Sequence, residues 1–302
     1  MYKRQIYLKE LKPTNIEDLI AMNALYRPGP MNYIPIYINR KHGREKVEYP
    51  HKLIEDLLKP TFGIMVYQEQ IMQTAQIMAG FSLGRADILR RAMGKKKMDI
   101  MAAQKVEFVK GANEQGIPKE KAEEVFAIME RFAEYGFNRS HSAAYSVIAY
   151  QTAYLKAHYP AEYMAAVLTH NINDIKKITF FIDECKRHEI DVLGPDINES
   201  SLDFTVNNEG QIRFGLGAIK NVGEGAVNAI ISEREENGLY RDIFDFTKRV
   251  ELKSVNKRCM ESLAMAGAFD SFVDTHRAQY FFRENTDDTI FLEKVIRFAG
   301  TY

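Results

Sequence analysis

From residue 10 to residue 170, apolar positions recur at three- and four-residue spacing between polar faces and glycine or proline breaks, and this pattern predicts helix after helix with few strands. Thr14 or Asn15 is placed to cap a helix running through Leu19, Ile20, Met22 and Leu25, with Glu17 and Asp18 in its first turn. Arg27-Pro28-Gly29-Pro30 ends it, because two prolines and a glycine cannot continue a helix. A short apolar stretch over 33–39, the basic loop 40–44 and a short amphipathic helix over 50–58 follow. Near Tyr67 a longer pattern begins, with Ile71, Ala75 and Met78 on one face and Gln68, Gln70 and Gln73 elsewhere on the wheel. Further helices are predicted over 84–94, 98–111, 119–132, 143–158 and 161–168. The first of these is a basic helix, and 119–132 is carried by Ala122, Val125, Phe126 and Met129. A polar loop is expected over 135–142.

Composition changes after His170. Residues 191–196 read as extended, and 202–206 with 212–214 form a hairpin pattern around Asn207-Asn208-Glu209-Gly210. Helices return after Gly215 and the last pattern, near 291–298, has no stop signal, so it reads as the start of a truncated tail. Residues 1–5 fit none of the flanking patterns and read as a foreign start segment. The expected fold class is mainly α, a multi-helix domain followed by a small helical module with a short β-hairpin.

The 302 residues allow two cores, and 46% hydrophobic with 27% charged residues is ordinary globular usage. No apolar run reaches membrane-spanning length, which argues against a membrane partner. Cys185 and Cys259 have no neighbouring cysteine, which disfavours a disulfide framework or a zinc knuckle and points to the cytoplasm. With 41 basic and 41 acidic residues, the net charge is zero. That excludes a chain that coats nucleic acid with its whole surface but leaves room for a local basic groove.

Such a groove is predicted between Arg85 and Lys110, where Arg85, Arg90, Arg91, Lys95, Lys96, Lys97, Lys105 and Lys110 face only Asp87, Asp99 and Glu107. Asp87 lies three and four residues before Arg90 and Arg91, so it is expected to brace one arginine and leave the other free. Ile88, Leu89 and Ala92 supply the buried face, and Gly94 stops the helix ahead of the lysine triplet. The plainer alternative is a solvated basic helix end; paired arginines followed by Gly-Lys-Lys-Lys favour an anion site.

A second candidate is the run Gly217-Ala-Ile-Lys220-Asn-Val-Gly223-Glu-Gly225 ahead of an apolar helix. Gly223 and Gly225 permit close backbone approach to a phosphate, and the following helix offers N–H groups, as in a helix-hairpin-helix element. The alternative is a glycine turn that packs two helices. A weaker copy is expected over 256–269, with Ala266-Gly267-Ala268 as its hairpin. Gly215-Leu-Gly217 lacks the third glycine of a dinucleotide fingerprint, and Gly94-Lys95 lacks the rest of a Walker A loop. Asn138, Ser140 and His141 form a polar cluster ahead of a helix, readable as a cap or as a binding loop. Asp183-Glu184 and Glu123-Glu124 read as solvated helix faces, and no carboxylate pair has two-metal spacing, so no catalytic or metal residue is expected.

Six blocks in order carry a resemblance: residues 24–30 (Ala-Leu-Tyr-Arg-Pro-Gly-Pro), 40–44 (Arg-Lys-His-Gly-Arg), 67–70 (Tyr-Gln-Glu-Gln), 89–97 (Leu-Arg-Arg-Ala-Met-Gly-Lys-Lys-Lys), 135–145 (Tyr-Gly-Phe-Asn-Arg-Ser-His-Ser-Ala-Ala-Tyr) and 156–163 (Lys-Ala-His-Tyr-Pro-Ala-Glu-Tyr). Together they resemble the alpha-subunit family of bacterial DNA polymerase III, the C-family replicative DNA polymerases. The resemblance implies polymerase fingers over 1–170, a helix-hairpin-helix DNA-binding module over 171–272, and over 273–302 a helical tail leading to further domains. It implies that Arg90 and Arg91 contact the triphosphate of the incoming dNTP, and that Asn138, Ser140, His141 and Tyr145 line the nascent base pair. Lys95, Lys96 and Lys97, with Lys220, Gly223 and Gly225, would contact primer-template DNA. Magnesium would be held by aspartates of a palm upstream of residue 1, leaving no cofactor and no catalytic residue in this chain. Other replicase subunits, including a sliding clamp and a proofreading exonuclease, would be partners in part through other regions. A rival from another class is a stand-alone DNA-binding module without chemistry. The blocks at 89–97 and 138–141 argue against it, because a backbone binder has no need of a nucleotide pocket.

Overall fold

The computed structural model describes residues 3–94, 97–133, 135–284 and 289–299. Fifteen α-helices and one small sheet make up the described residues: α1 (Lys3–Leu11), α2 (Ile16–Leu25), α3 (Ile34–Lys41), α4 (Glu55–Leu58), α5 (Gln68–Ala79), α6 (Leu83–Gly94), α7 (Met98–Glu114), α8 (Lys119–Ala133), α9 (Arg139–His158), α10 (Pro160–His170), α11 (Ile175–Arg187), β1 (Val192–Leu193), β2 (Thr205–Val206), β3 (Ile212–Arg213), α12 (Glu224–Asn237), α13 (Ile243–Arg249), α14 (Lys257–Ala266) and α15 (Phe291–Ala299). The mainly α class is as expected. The chain divides into two compact units, 1–151 and 152–302, with the division inside α9.

In the first unit, the start of α2 follows the cap pattern. Asn15 accepts from the Asp18 amide at 3.1 Å and the Asp18 carboxylate accepts from the Thr14 and Asn15 amides. Burial of Asp18 opposes its charge, but Lys41 at 2.5 Å and the Thr14 amide outweigh that and hold its carboxyl below the usual range. The core is continuous from Leu11 to Phe132 and includes Ile71, Ala75 and Met78 of α5 and the four apolar positions named on α8. Residues 3–5, which fit none of the flanking sequence patterns, open α1, whose Leu11 is fully buried and whose Tyr7 packs edge-on against Tyr26. Gln70, off the apolar stripe of α5, is nevertheless not at the surface. It is buried, accepting from the Val66 and Tyr67 amides and donating to the Thr61 hydroxyl at 2.8 Å, and so pins the start of α5.

The second unit has two apolar clusters, one around α10, α11 and the sheet, the other around α12 to α15. The expected hairpin forms as β2 antiparallel to β3, with Val206 opposite Ile212, and β1 adds in parallel on the other side of β3. Glu184 is not the solvated carboxylate expected. It accepts from Lys156 at 2.8 Å and Arg187 at 2.6 Å, and the His188 ring lies 3.2 Å away. The Lys156 hydrogen bond, with those of His188 and Arg187, holds its pKa at about 2. A carboxylate depressed in the folded state stabilises above its unfolded pKa, and that contribution disappears as pH falls from about 4.5 towards 2. Glu184→Gln should therefore lose on the order of 1 kcal/mol at neutral pH and show a flatter acid limb in thermal melts followed by circular dichroism. Parallel limbs for the two proteins would exclude the network as a source of acid sensitivity.

Candidate nucleotide and nucleic-acid interfaces

On α6, Asp87 pairs with both arginines, Oδ1 with Arg90 at 2.7 Å and Oδ2 with Arg91 at 2.7 Å. The expectation of one braced and one free arginine is thus corrected: i, i+3 and i, i+4 are both within reach of a two-oxygen acceptor. The Arg90 hydrogen bond, then the charges of both guanidinium groups, hold the half-buried Asp87 carboxyl below the usual range. Arg91 is 66% exposed at its side chain and Arg90 29%. Leu89 and Ala92 are buried as expected, but Ile88 is exposed; Ala86 and Met93 fill the face instead, since they complete the three- and four-residue spacing. Lys95 and Lys96 lie outside the described residues, and Lys97 is exposed just before α7.

Arg90 reaches beyond its own helix. Its Nη1 donates to Gln68 Oε1 at 3.2 Å, while Gln68 Nε2 donates to the Gly136 carbonyl at 3.1 Å and the Gln68 amide to the Phe137 carbonyl at 3.0 Å. The Phe137 amide in turn donates to the Val66 carbonyl, joining Tyr67 and Phe137 as a parallel bridge. The turn at 27–30 closes from the other side. The Arg27 guanidinium lies 4.1 Å from the Phe137 ring centroid and donates to the Tyr135 carbonyl at 2.7 Å. Gly29, at φ +97°, leaves room for the Tyr135 ring, which a Cβ there would overlap. Four blocks remote in sequence (24–30, 67–70, 89–97 and 135–145) therefore meet around Gln68 and Phe137.

The polar loop expected over 135–142 is shorter than predicted. α9 begins at Arg139, so Ser140 and His141 are in its first turn, and Asn138 acts as the cap, accepting from the His141 amide at 2.8 Å. Asn138 also donates to Glu69, which accepts from the Arg139 amide; the Arg139 side chain pairs with Glu17 at 2.7 Å. Phe137, His141 and Tyr145 form a ladder of rings, with centroids 5.4 and 4.7 Å apart. Ser140 and Arg139 instead border a cavity of about 410 Å³ shared with Glu17, Tyr67 and Glu69. Sequence reasoning missed Gln68 and Glu69 as organisers. Their signal was present in the 67–70 block, but polar residues off the apolar face carry no periodicity.

In the second unit, the 217–225 run forms a 3₁₀ turn (Leu216–Ala218), a reversal with Asn221 at φ +66°, and α12 beginning after Gly223. A Cβ at Gly215 would lie 2.6 Å from the Leu202 carbonyl oxygen, and one at Gly217 2.9 Å from it. Gly223 and Gly225 meet nothing within 4 Å, and no side chain caps the helix start between them. Lys220 is exposed on the same reversal. At the position expected for a second copy, Asn256 caps the start of α14 and Gly267, at φ +86°, ends it as a left-handed cap. Among the described residues, no group of three or more His, Cys, Asp or Glu is placed to hold a metal ion, and no helix is long and apolar enough to cross a membrane.

The first unit gathers paired arginines beside a capped, aromatic helix start, and the second carries a glycine-led helix. Residues 3–116 match the finger domain of the bacterial DNA polymerase III alpha subunit, and residues 189–280 match a helix-hairpin-helix motif. The chain is 53% identical over 286 residues to the DNA polymerase III subunit alpha of Borreliella burgdorferi, covering 95% of this chain and 25% of that protein. It is 50% identical over 278 residues to that of Haemophilus influenzae and 49% over 278 residues to that of Escherichia coli K12, each covering 90% of this chain and 24% of the relative. The chain belongs to the family of bacterial DNA polymerase III alpha subunits and spans about a quarter of the length of the relatives it matches.

Proposed function

We propose that this chain serves template-directed DNA synthesis as the fingers and helix-hairpin-helix region of a replicative DNA polymerase. Arg90 and Arg91 bind the triphosphate of the incoming dNTP, and Asn138, Ser140, His141 and Tyr145 form the wall beside the nascent base pair. Lys220, Gly223 and Gly225 grip the DNA backbone, and the lysine run at 95–97 extends the basic surface. The observation that supports this reading best is the Gln68 link, through which the triphosphate-side Arg90 and the base-side Gly136–Asn138 segment are held as one unit. A triphosphate arriving at α6 would exchange Asp87 for its own oxygens as the acceptor of both guanidinium groups, with no rebuilding of their positions. Binding of a correct nucleotide would thereby be communicated to the segment that senses the base pair, an induced-fit route to selection.

The magnesium ions that such polymerases generally use are not fitted by the described residues, which offer no ligand cluster. Other replicase subunits, a sliding clamp and a proofreading exonuclease among them, belong to the same reading, as does a cytoplasmic setting. The test is fluorescence anisotropy of this chain on primer-template DNA across a salt series, with and without the next correct dNTP. Binding that is independent of sequence, steep in salt and about two-fold or more tighter with the correct dNTP than with a mismatched one is expected. Equal affinity with either nucleotide would remove the pocket from the reading and leave a stand-alone backbone binder.

A further inference from the structure

We propose a second nucleic-acid contact in the first unit, on either side of α3, that holds single-stranded DNA by base stacking and phosphate neutralisation. Neither Arg90 nor the Gly136–Asn138 segment lines it, so it is separate from the nucleotide site proposed above. One cavity, of about 630 Å³, has Tyr33, Tyr49 and Phe132 in its wall and Arg40, Lys46, Lys121 and Arg131 around it. Two carboxylates, Glu48 and Glu124, share that lining, so it carries a net charge of +2. Arg40 is paired with Glu45 at 3.0 Å and Lys121 with Glu124 at 2.7 Å. Lys46 and Arg131, both exposed, have no carboxylate within 4 Å among the described residues. Two unneutralised cations beside partly buried aromatic rings provide the combination that a nucleotide unit of a strand requires: a stacking face and a phosphate partner.

The neighbouring cavity continues the surface. It measures about 650 Å³ and is lined by Lys9, Lys12, Arg44 and His42 with a single carboxylate, Glu10. Pro35, Ile38 and Asn39 of α3 border this second cavity, whereas Ile36 and Arg40 of the same helix border the first, so α3 is the wall between them. The basic loop that follows α3 contributes Arg44 to one and Lys46 to the other. Lys9, Lys12 and Arg44 likewise have no carboxylate paired to them among the described residues. The floor is fixed: Arg40 donates to the Phe62 carbonyl at 3.0 Å, and the Glu48 carbonyl lies against Gly63, where a Cβ would overlap it. A continuous strand crossing α3 satisfies both cavities, one base stacking on Tyr49 or Tyr33 and successive phosphates meeting Lys46, Arg131 and the Lys9–Arg44 side. An acidic peptide would meet the cations but would leave the aromatic wall unused.

The experiment is anisotropy of the whole chain with fluorescein-labelled oligothymidylate, beside a blunt duplex and fluorescein-labelled polyglutamate, over a salt series. Lys46→Ala/Arg131→Ala is expected to weaken oligothymidylate binding at least five-fold and to flatten its log affinity against log salt by about 1.4, at roughly 0.7 for each phosphate no longer neutralised. Tyr49→Ala should weaken it about five-fold or more with the salt slope unchanged, while Tyr49→Phe binds as the parent, which separates stacking from misfolding. Blunt-duplex binding should be unchanged in all of them, so failure here is distinguishable from failure of the backbone grip by Gly223 and Gly225. No oligothymidylate binding by the parent chain, or unchanged affinity in Lys46→Ala/Arg131→Ala, would overturn the proposal. So would polyglutamate binding as tightly as oligothymidylate with indifference to Tyr49→Ala, which would make the surface an acidic-peptide site.

Discussion

Arg90→Ala and Arg91→Ala, each introduced into a polymerase that carries this segment, are expected to lower kcat/KM for the incoming dNTP by about 10- to 100-fold. Primer-template affinity should stay within about two-fold of the parent. The magnitude follows from removing one charge-assisted hydrogen bond to phosphate, about 1.5–3 kcal/mol. The two variants should not be equal. Arg91 is the more exposed and its ion pair is with Asp87 of its own helix, so its removal takes away charge and little else. Arg90 also donates to Gln68, which holds the Gly136 and Phe137 carbonyls, so its removal should loosen the segment proposed to face the base pair as well. Arg90→Ala should therefore raise misincorporation in addition to KM, whereas Arg91→Ala should raise KM alone. Lysine at either position restores charge but cannot span two acceptors in a fixed fork, so rescue should be partial. Single-nucleotide incorporation against matched and mismatched templates measures both effects; unchanged KM and turnover in the two variants would sink the assignment.

Much of this was legible in the chain because the signals were local. The Asn15 cap, the arginine–proline–glycine stop and the apolar faces of α5 and α8 all lie within one or two turns of the residues that write them. What escaped was tertiary. Asp87 can be placed near two arginines by counting, but whether its two oxygens divide between them depends on rotamers. Gln70 looks like any surface glutamine until the Val66–Tyr67 amides turn back onto it. The helix start at Arg139 was obscured because Ser140, His141 and Ser142 read as loop residues. Ser142 is in fact fully buried and donates to the Ile20 carbonyl at 2.7 Å, so packing against α2 overrides its weak helical preference. The convergence of four blocks on Gln68 was invisible for the same reason: hydrogen bonds spanning 68 residues leave no periodicity in the chain.

Replacing Gly223 and Gly225 together by valine is expected to weaken duplex DNA binding by about ten-fold or more without lowering the stability of the second unit appreciably. The contrast with Gly215 and Gly217 carries this prediction. Those two glycines are demanded from inside, since a Cβ on either would overlap the Leu202 carbonyl, and alanine there should unfold the turn. At Gly223 the backbone is extended, at φ −86° and ψ 159°, and Gly225 lies in the first turn of α12; a Cβ at either position meets nothing within 4 Å. The fold therefore has no evident need of glycine at either place. An open approach to an uncapped helix start, with its unpaired N–H groups and positive dipole end, fits a phosphate arriving from outside. β-branched side chains would stand in that approach and hold the backbone away. If the proposed grip is on phosphate and not on a base edge, the loss should be the same on every sequence, and the salt dependence should fall by roughly one unit for each phosphate that is released. Anisotropy on several unrelated duplexes, with thermal melts of the same samples, separates the cases. Loss confined to particular sequences would contradict a backbone grip, and undiminished binding by a well-folded double variant would move the DNA interface away from α12.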